Sequence, residues 1–146
     1  MNPIRLYRFG NYLYKNKMYL LSKLVTLVSR FVFTAYIPSS CRIGQGIVLG
    51  YGGMGIVLHS QVSIGNNCHI SQHVTIGGTS KKLNVPTLGN DVYVGAGAKI
   101  LGDITIGDNV VIGANSVVVK SIPPNSLVVG IPGRVIKTGI EKKDYV

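Results

Sequence analysis

The sequence predicts an all-β chain wound as a parallel β-helix of hexapeptide repeats, preceded by a short helical segment. Three observations carry that prediction. From Ile43 onward an apolar residue recurs every six positions: Ile43 and Leu49, then Leu58, Ile64, Ile70 and Ile76, and after a gap Leu88, Val94, Ile100, Ile106, Ile112 and Val118. Four positions after these slots a small or β-branched residue recurs, as at Val62, Cys68, Val74, Val92, Ala98, Ile104, Val110 and Ser116. Gly follows the slot directly at 65, 77, 89, 95, 107 and 113, and Asn or Asp stands three after it at 67, 91, 103, 109 and 115. Two inward positions and a turn signal in every six residues let each short strand bury its slot and hand the chain to the next face. Asn and Asp suit those turns because they tolerate left-handed backbone.

The elements follow in order. Residues 1–37 form the helical segment. Pro3 to Phe9 reads as a short helix broken at Gly10-Asn11. A second begins at Met18, with Leu20, Leu21, Leu24, Leu27, Val28 and Phe31 at helical spacing and Pro38 as its stop. Lys23, Arg30 and the hydroxyl residues argue against a bilayer span. Two readings stay open for its apolar face: packing on the end of the domain or a sister subunit, and lying on a membrane surface with Arg5, Arg8, Lys15, Lys17 and Lys23 assisting. The β-helix occupies 38–120, and in the series after Leu58 only Lys82, inside the loop GGTSKKLNVPT, breaks the run of slot residues. A C-terminal extension, 121–146, folds back along the outside and ends in a frayed tail from Glu141.

Composition bounds the partners. One domain of 146 residues is long enough to bury a core, and 19 glycines fit many tight turns. The net charge is +10, and nine basic side chains precede the first carboxylate, Asp91. Such a field favours phosphates, a polyanionic ligand or an acidic membrane surface. Nothing in the motifs implies a nucleic acid. Two cysteines without metal or redox spacing, and no evident cleavable leader, make the cytoplasm the default expectation.

The repeat also ranks the three histidines. His59 stands directly after a slot, where Gly is preferred, so its imidazole must point outward. His73 takes the turn position otherwise held by Asn or Asp, 18 residues before Asp91. If the loop keeps register, one full coil separates them, and Asp91 stacks on His73 to orient its ring at about 4.8 Å backbone spacing. His69 sits on an outward strand position and reads as ordinary surface. The three occupy different places in the repeat and diverge, so no metal site is expected.

GIVLHSQVSIG, HVTIGGT, VGAGAKILGDITIGDNVVIGANSVVVK and IPPNSLVVGIPGRVIK resemble the left-handed β-helix acyltransferases of the hexapeptide-repeat family, over about Cys41 to Lys137. The branch they are most similar to holds serine acetyltransferase and the short saccharide O-acetyltransferases. The resemblance implies a homotrimer with active sites between subunits and acetyl-CoA as co-substrate. It assigns Gly77, Gly78, Thr79 and the main chain around Ala96, Ala98 and Ala114 to the pantetheine groove, and Lys99, Lys120 and Arg134 to the phosphates. His59 is then the leading general base and His73 the second, since imidazole titrates near working pH. Serine acetyltransferases carry an Asp-His pair where Gly50-Tyr51 stands here, and an acid and a histidine in the loop that reads SKKLNVPT here. The large N-terminal helical domain of that branch is replaced by a short segment. These departures imply a sugar hydroxyl of a surface-polysaccharide precursor as acceptor, contacted by Tyr51, Met54, Lys82 and Asn84. Serine is the alternative acceptor, and a non-catalytic assembly module the alternative of another class.

Overall fold

The structure, a computed structural model, describes residues 3–81 and 83–146. Two helices, α1 (Pro3–Lys15) and α2 (Tyr19–Phe33), precede a stack of short strands. The strands run β1 (Arg42–Ile43), β2 (Val48–Leu49), β3 (Val57–Leu58), β4 (Ser63–Ile64), β5 (His69–Ile70), β6 (Thr75–Gly77) and β7 (Thr87–Leu88). They continue as β8 (Tyr93–Val94), β9 (Lys99–Leu101), β10 (Thr105–Ile106), β11 (Val111–Ile112), β12 (Val117–Val118), β13 (Ser126–Val129) and β14 (Arg134–Thr138). Up to β12, each strand stacks in parallel on the strand three places before it. Face I is β1-β4-β7-β10, face II is β2-β5-β8-β11-β13-β14 and face III is β3-β6-β9-β12. This is the expected triangular β-helix.

The slot residues fill its interior. Leu58, Ile70, Ile76, Val94, Ile100, Ile106, Ile112 and Val118 are fully or almost fully buried, as are Val62, Cys68, Val74, Val92, Ala98 and Val110 between them. Each such aliphatic side chain contributes roughly 1.5–3 kcal/mol relative to exposure. Leu49 is the one slot only half-buried, because a tight turn at Gly50–Gly53 lengthens the step from Leu49 to Leu58 to nine residues. Between faces I and II a ladder of side chains caps the turns. Asn66 Oδ1 accepts from Gln45 N–H at 2.8 Å, Asn90 Oδ1 from Asn66 N–H at 2.8 Å, and Asp108 Oδ1 from Asn90 N–H at 2.7 Å. Asn67, Asp91, Asn109 and Asn125 hold left-handed backbone at the same corner, and Asn115 and His73 do so between faces II and III.

The helical segment differs from expectation in three ways. Helix α1 runs unbroken through Gly10-Asn11 to Lys15. Gly10 is there for close approach, since a Cβ would overlap Ser39 Oγ and stand 3.0 Å from Val25 Cγ1. Asn11 donates its amide to Ser39 O at 2.8 Å and Cys41 O at 3.2 Å. With Tyr7 Oη donating to Cys41 O at 2.8 Å, and Arg8 to Ile43 O and Gly44 O, α1 satisfies the carbonyls at the open end of the first coil. Second, α2 stops at Thr34, which turns left-handed, well before Pro38, and Tyr36 already bridges to Val57. Third, α2 seats its hydroxyl stripe, not its leucines, against the domain: Ser22 and Ser29 are its buried residues, and Thr26 Oγ1 lies 2.9 Å from Ser39 Oγ.

At the other end β13 remains parallel to β11, and only β14 folds back antiparallel along the outside. The tail after it is docked rather than frayed. Ile140 is buried, Lys142 N–H donates to Asn109 Oδ1 at 2.8 Å, and Lys142 Nζ donates to Asn67 O at 2.6 Å.

A Gly10→Ala substitution separates close approach from helix propensity. Alanine favours the helix by about 1 kcal/mol, whereas overpacking a tight contact costs about 1–3 kcal/mol. The expected outcome is a lower urea midpoint with unchanged β-sheet circular dichroism.

Candidate active site

The corner between faces III and I departs from the regular turn. The chain leaves β6, runs out through Gly78 to Pro86, and re-enters at β7. Val57 pairs with Thr75, 18 residues on, but Thr75 pairs with Lys99, 24 residues on. The loop therefore costs one six-residue step. It preserves the slot spacing while shifting all later residues by one face.

That shift overturns the stacking of His73 on Asp91. Asp91 N–H donates to Asn66 O at 2.8 Å, which sets Asp91 over Asn67 at the corner between faces I and II. Its carboxylate lies 3.8 Å from Lys142 Nζ. A half-exposed, water-screened pair at this distance contributes at most about 1 kcal/mol. His73 sits at the corner between faces II and III, with its N–H donating to Met54 O at 2.9 Å. Its ring lies over Gly55, where an added Cβ would overlap Nδ1, and Lys99 Nζ donates to its carbonyl at 2.7 Å. Tyr51, 81% exposed with φ 48°, and Met54 belong to the same corner. His59, His73 and Asp91 thus occupy three different corners of one chain.

His59 alone opens onto a large cleft, of about 1010 Å³, lined among others by Arg42, Gln61, Gly78, Thr79, Asn84 and Asp103. The backbone fixes it firmly: its N–H donates to Ile76 O at 2.9 Å, and its carbonyl accepts from Val62 N–H at 3.0 Å. The ring is exposed, and Nδ1 accepts from Gln61 N–H at 3.3 Å. That contact places the proton of the neutral ring on Nε2. Taking a proton at Nε2 needs the other tautomer and loses this long hydrogen bond, a cost of about 0.5–1.5 kcal/mol. General-base assistance is worth about 10²–10⁴-fold, so the cost does not remove His59 from the role.

Asp103 and Arg42 were not legible as cleft residues. Asp103 falls at the repeat position expected to be left-handed, but Gly102 takes that conformation, with φ 99°. The carboxylate is freed toward the cleft, where Asn84 Nδ2 donates to Asp103 Oδ2 at 3.0 Å. Gly77, Gly78 and Thr79 border the same corner, with Gly77 O accepting from Gly102 N–H at 2.9 Å. Ala96 and Ala114 lie at the corner between faces II and III instead. Lys120, between faces III and I, and Arg134, the first residue of β14, are exposed on the last turns. Ala98 has a fully buried side chain, and its N–H and carbonyl are engaged by Gly95 O and Thr75 N–H. Lys82 lies outside the described residues.

The thiols offer no alternative nucleophile. Burial pushes Cys41 up to about 12 and raises Cys68 as well. Cys41 instead donates to His59 O at 3.2 Å, from beneath the corner. His69 packs on Tyr93 on face II, with ring centroids 5.0 Å apart. Burial and then the Lys142 cation hold its imidazole below the ordinary value.

Residues 86–120 match the family described as bacterial transferase hexapeptide (six repeats). The chain is 41% identical over 138 residues to a serine acetyltransferase of Bacillus pumilus, covering 93% of this chain and 63% of that protein. It is 46% identical over 132 residues to a serine acetyltransferase of Synechococcus elongatus, covering 89% and 54%. The solved serine acetyltransferase of Brucella abortus in complex with coenzyme A superposes with a TM-score of 0.89 at 36% identity, over 94% of this chain and 56% of that one. The chain therefore spans less than two thirds of the length of these relatives.

Two measurements follow. A His whose folded pKa is depressed is neutral in the native state while the unfolded chain still takes up its proton, so native stability is full above about 6.5 and falls as pH drops through the folded pKa. Urea midpoints measured from neutral to acidic pH are expected to fall less steeply in His69→Gln than in the unsubstituted chain. Neither cysteine is expected to react with a thiol reagent until the protein is unfolded, and prompt labelling of the native chain would contradict their burial.

Proposed function

We propose that this chain, which belongs to the hexapeptide-repeat transferase family, is an acetyl-CoA-dependent O-acetyltransferase with His59 as its general base. The single observation that carries the reading is the exposed His59 imidazole at the mouth of the cleft beside the Gly77-Gly78 turn. His59 takes the proton of the acceptor hydroxyl as its oxygen attacks the thioester carbonyl. Main-chain N–H groups of the glycine turn stabilise the oxyanion. The C–S bond then breaks, the ester is released, and the imidazolium returns its proton to the coenzyme A thiolate. With both thiols buried and held protonated, attack is direct and forms no acyl-enzyme.

Serine is the acceptor that the relatives support, being the substrate in the names of proteins up to 46% identical to this chain. The cleft suits it: Arg42 offers a cation for the α-carboxylate and Asp103 a carboxylate for the α-ammonium. A sugar hydroxyl is the second reading. It rests on the exposed Tyr51 and on the loop 80–87, which has no histidine or acid. Because the residues assigned to the donor and to the base flank face III from two corners, a homotrimer in which neighbouring chains meet along these corners would complete the site. Lys99, Lys120 and Arg134 are the cations proposed for the coenzyme A phosphates.

Thiol release from acetyl-CoA with L-serine, against sugar acceptors, tests the activity and the choice together. His59→Asn is expected to lower kcat by about 10²–10⁴-fold with little change in the KM for acetyl-CoA. Arg42→Gln and Asp103→Asn are expected to raise the KM for serine. Turnover of sugars with none of serine would select the second reading. Wild-type rates in His59→Asn would end the general-base assignment.

A further inference from the structure

Helix α2 is seated inside out. Its hydroxyl stripe faces the domain: Ser39 Oγ donates to Ser22 O at 3.0 Å, and Ser39 N–H donates to Thr26 Oγ1 at 3.1 Å. Leu20, 83% exposed, and Phe31, 77% exposed, stand on the opposite side with Leu24, Leu27 and Val28. At 3.6 residues per turn these side chains form one continuous apolar band along the helix. A contiguous exposed surface of this kind marks a site that something covers.

Charge decides between the occupants. Lys23 and Arg30 stand along one edge of the band, and Lys15 and Lys17 stand at the turn before α2; all four are exposed. No Asp or Glu occurs in residues 1–90 to offset them. A second copy laid antiparallel, face to face, would set Lys23 and Arg30 against their own kind, which works against association. Anionic headgroups meet them with the opposite charge, while the acyl region accepts the leucines and Phe31. No described helix is long and apolar enough to cross a membrane, so contact is in the plane of the interface.

We propose that the outer face of α2 docks this chain on the surface of an anionic phospholipid bilayer. The inference does not depend on acetyl transfer, and its test reads binding, not turnover. The full chain is floated with vesicles of phosphatidylcholine alone and of phosphatidylcholine with about one third phosphatidylglycerol, at low and high salt. Recovery with the anionic vesicles is expected to exceed that with the neutral ones by roughly tenfold, and to fall with salt. Leu24→Ser with Phe31→Ser removes apolar surface that is already exposed, and an unchanged urea midpoint would show the fold intact. Partitioning is expected to drop roughly tenfold in that variant. Lys23→Gln with Arg30→Gln is expected to lose the preference for anionic lipid and gives an independent reading should the serine variant be unstable. Failure to float with either lipid would overturn the proposal, as would flotation indifferent to both variants. A change of native mass by light scattering in the Leu24 and Phe31 variant, without any lipid binding, would assign the face to a second copy.

Discussion

The coil-on-coil register is the constraint on which everything else here depends. Each inward Ile, Leu or Val is buried only because the strand above repeats the same step, and the parallel hydrogen bonds hold that step fixed. A single strand of two residues could not persist alone. Stacked, the strands close a core that fixes three corners as rigid edges. The candidate site residues sit on those edges, where the chain can depart from the repeat without opening the core.

The departures are therefore informative, each with its own physical reason. At His59 the repeat gives up its preferred glycine, and the imidazole projects into the cleft. At His73 a histidine adopts the left-handed turn that Asn115 adopts higher in the stack, with Gly55 beneath leaving room for the ring. At Gly102 the left-handed residue moves one place earlier, and Asp103 turns toward Asn84. Two of these small changes fall on the corner between faces III and I and one on the corner between faces II and III, and they set those two corners apart in chemistry. The corner between faces I and II, with its ladder of Asn and Asp caps and the docked Lys142, is the structural one.

The two ends of the stack are closed by different means. Below, α1 meets bare carbonyls of the first coil with Tyr7, Arg8 and Asn11, so polar side chains do the capping. Above, β14 turns back on β13, and Asn109 binds the tail through Ile140 O and Lys142 N–H. Because α1 and the hydroxyl stripe of α2 suffice to seat the helical hairpin, the leucines of α2 are not needed for it. That division of labour leaves an apolar face for an external surface.

The core was legible from the sequence because its signal is local: six residues bring the same environment back, so Ile64, Ile70 and Ile100 declare themselves without knowledge of what lies above them. The outward position of His59 was legible for the same reason. Corner identity was not, because it depends on the count of residues over a whole coil of 18, and the loop through Lys82 adds six to that count. His73 and Asp91, 18 apart in the chain, consequently stand on different corners. The same limit hid Asp103 and Arg42, which meet the cleft only once the loop has folded against them. Gly10 read as a helix break because close approach to Ser39 is invisible in one dimension. Thus the sequence by itself determined the coil and its buried residues, through spacing that repeats locally. Only the tertiary structure decided which edge each polar residue occupies and which side of α2 faces outward, since both depend on what distant segments pack against.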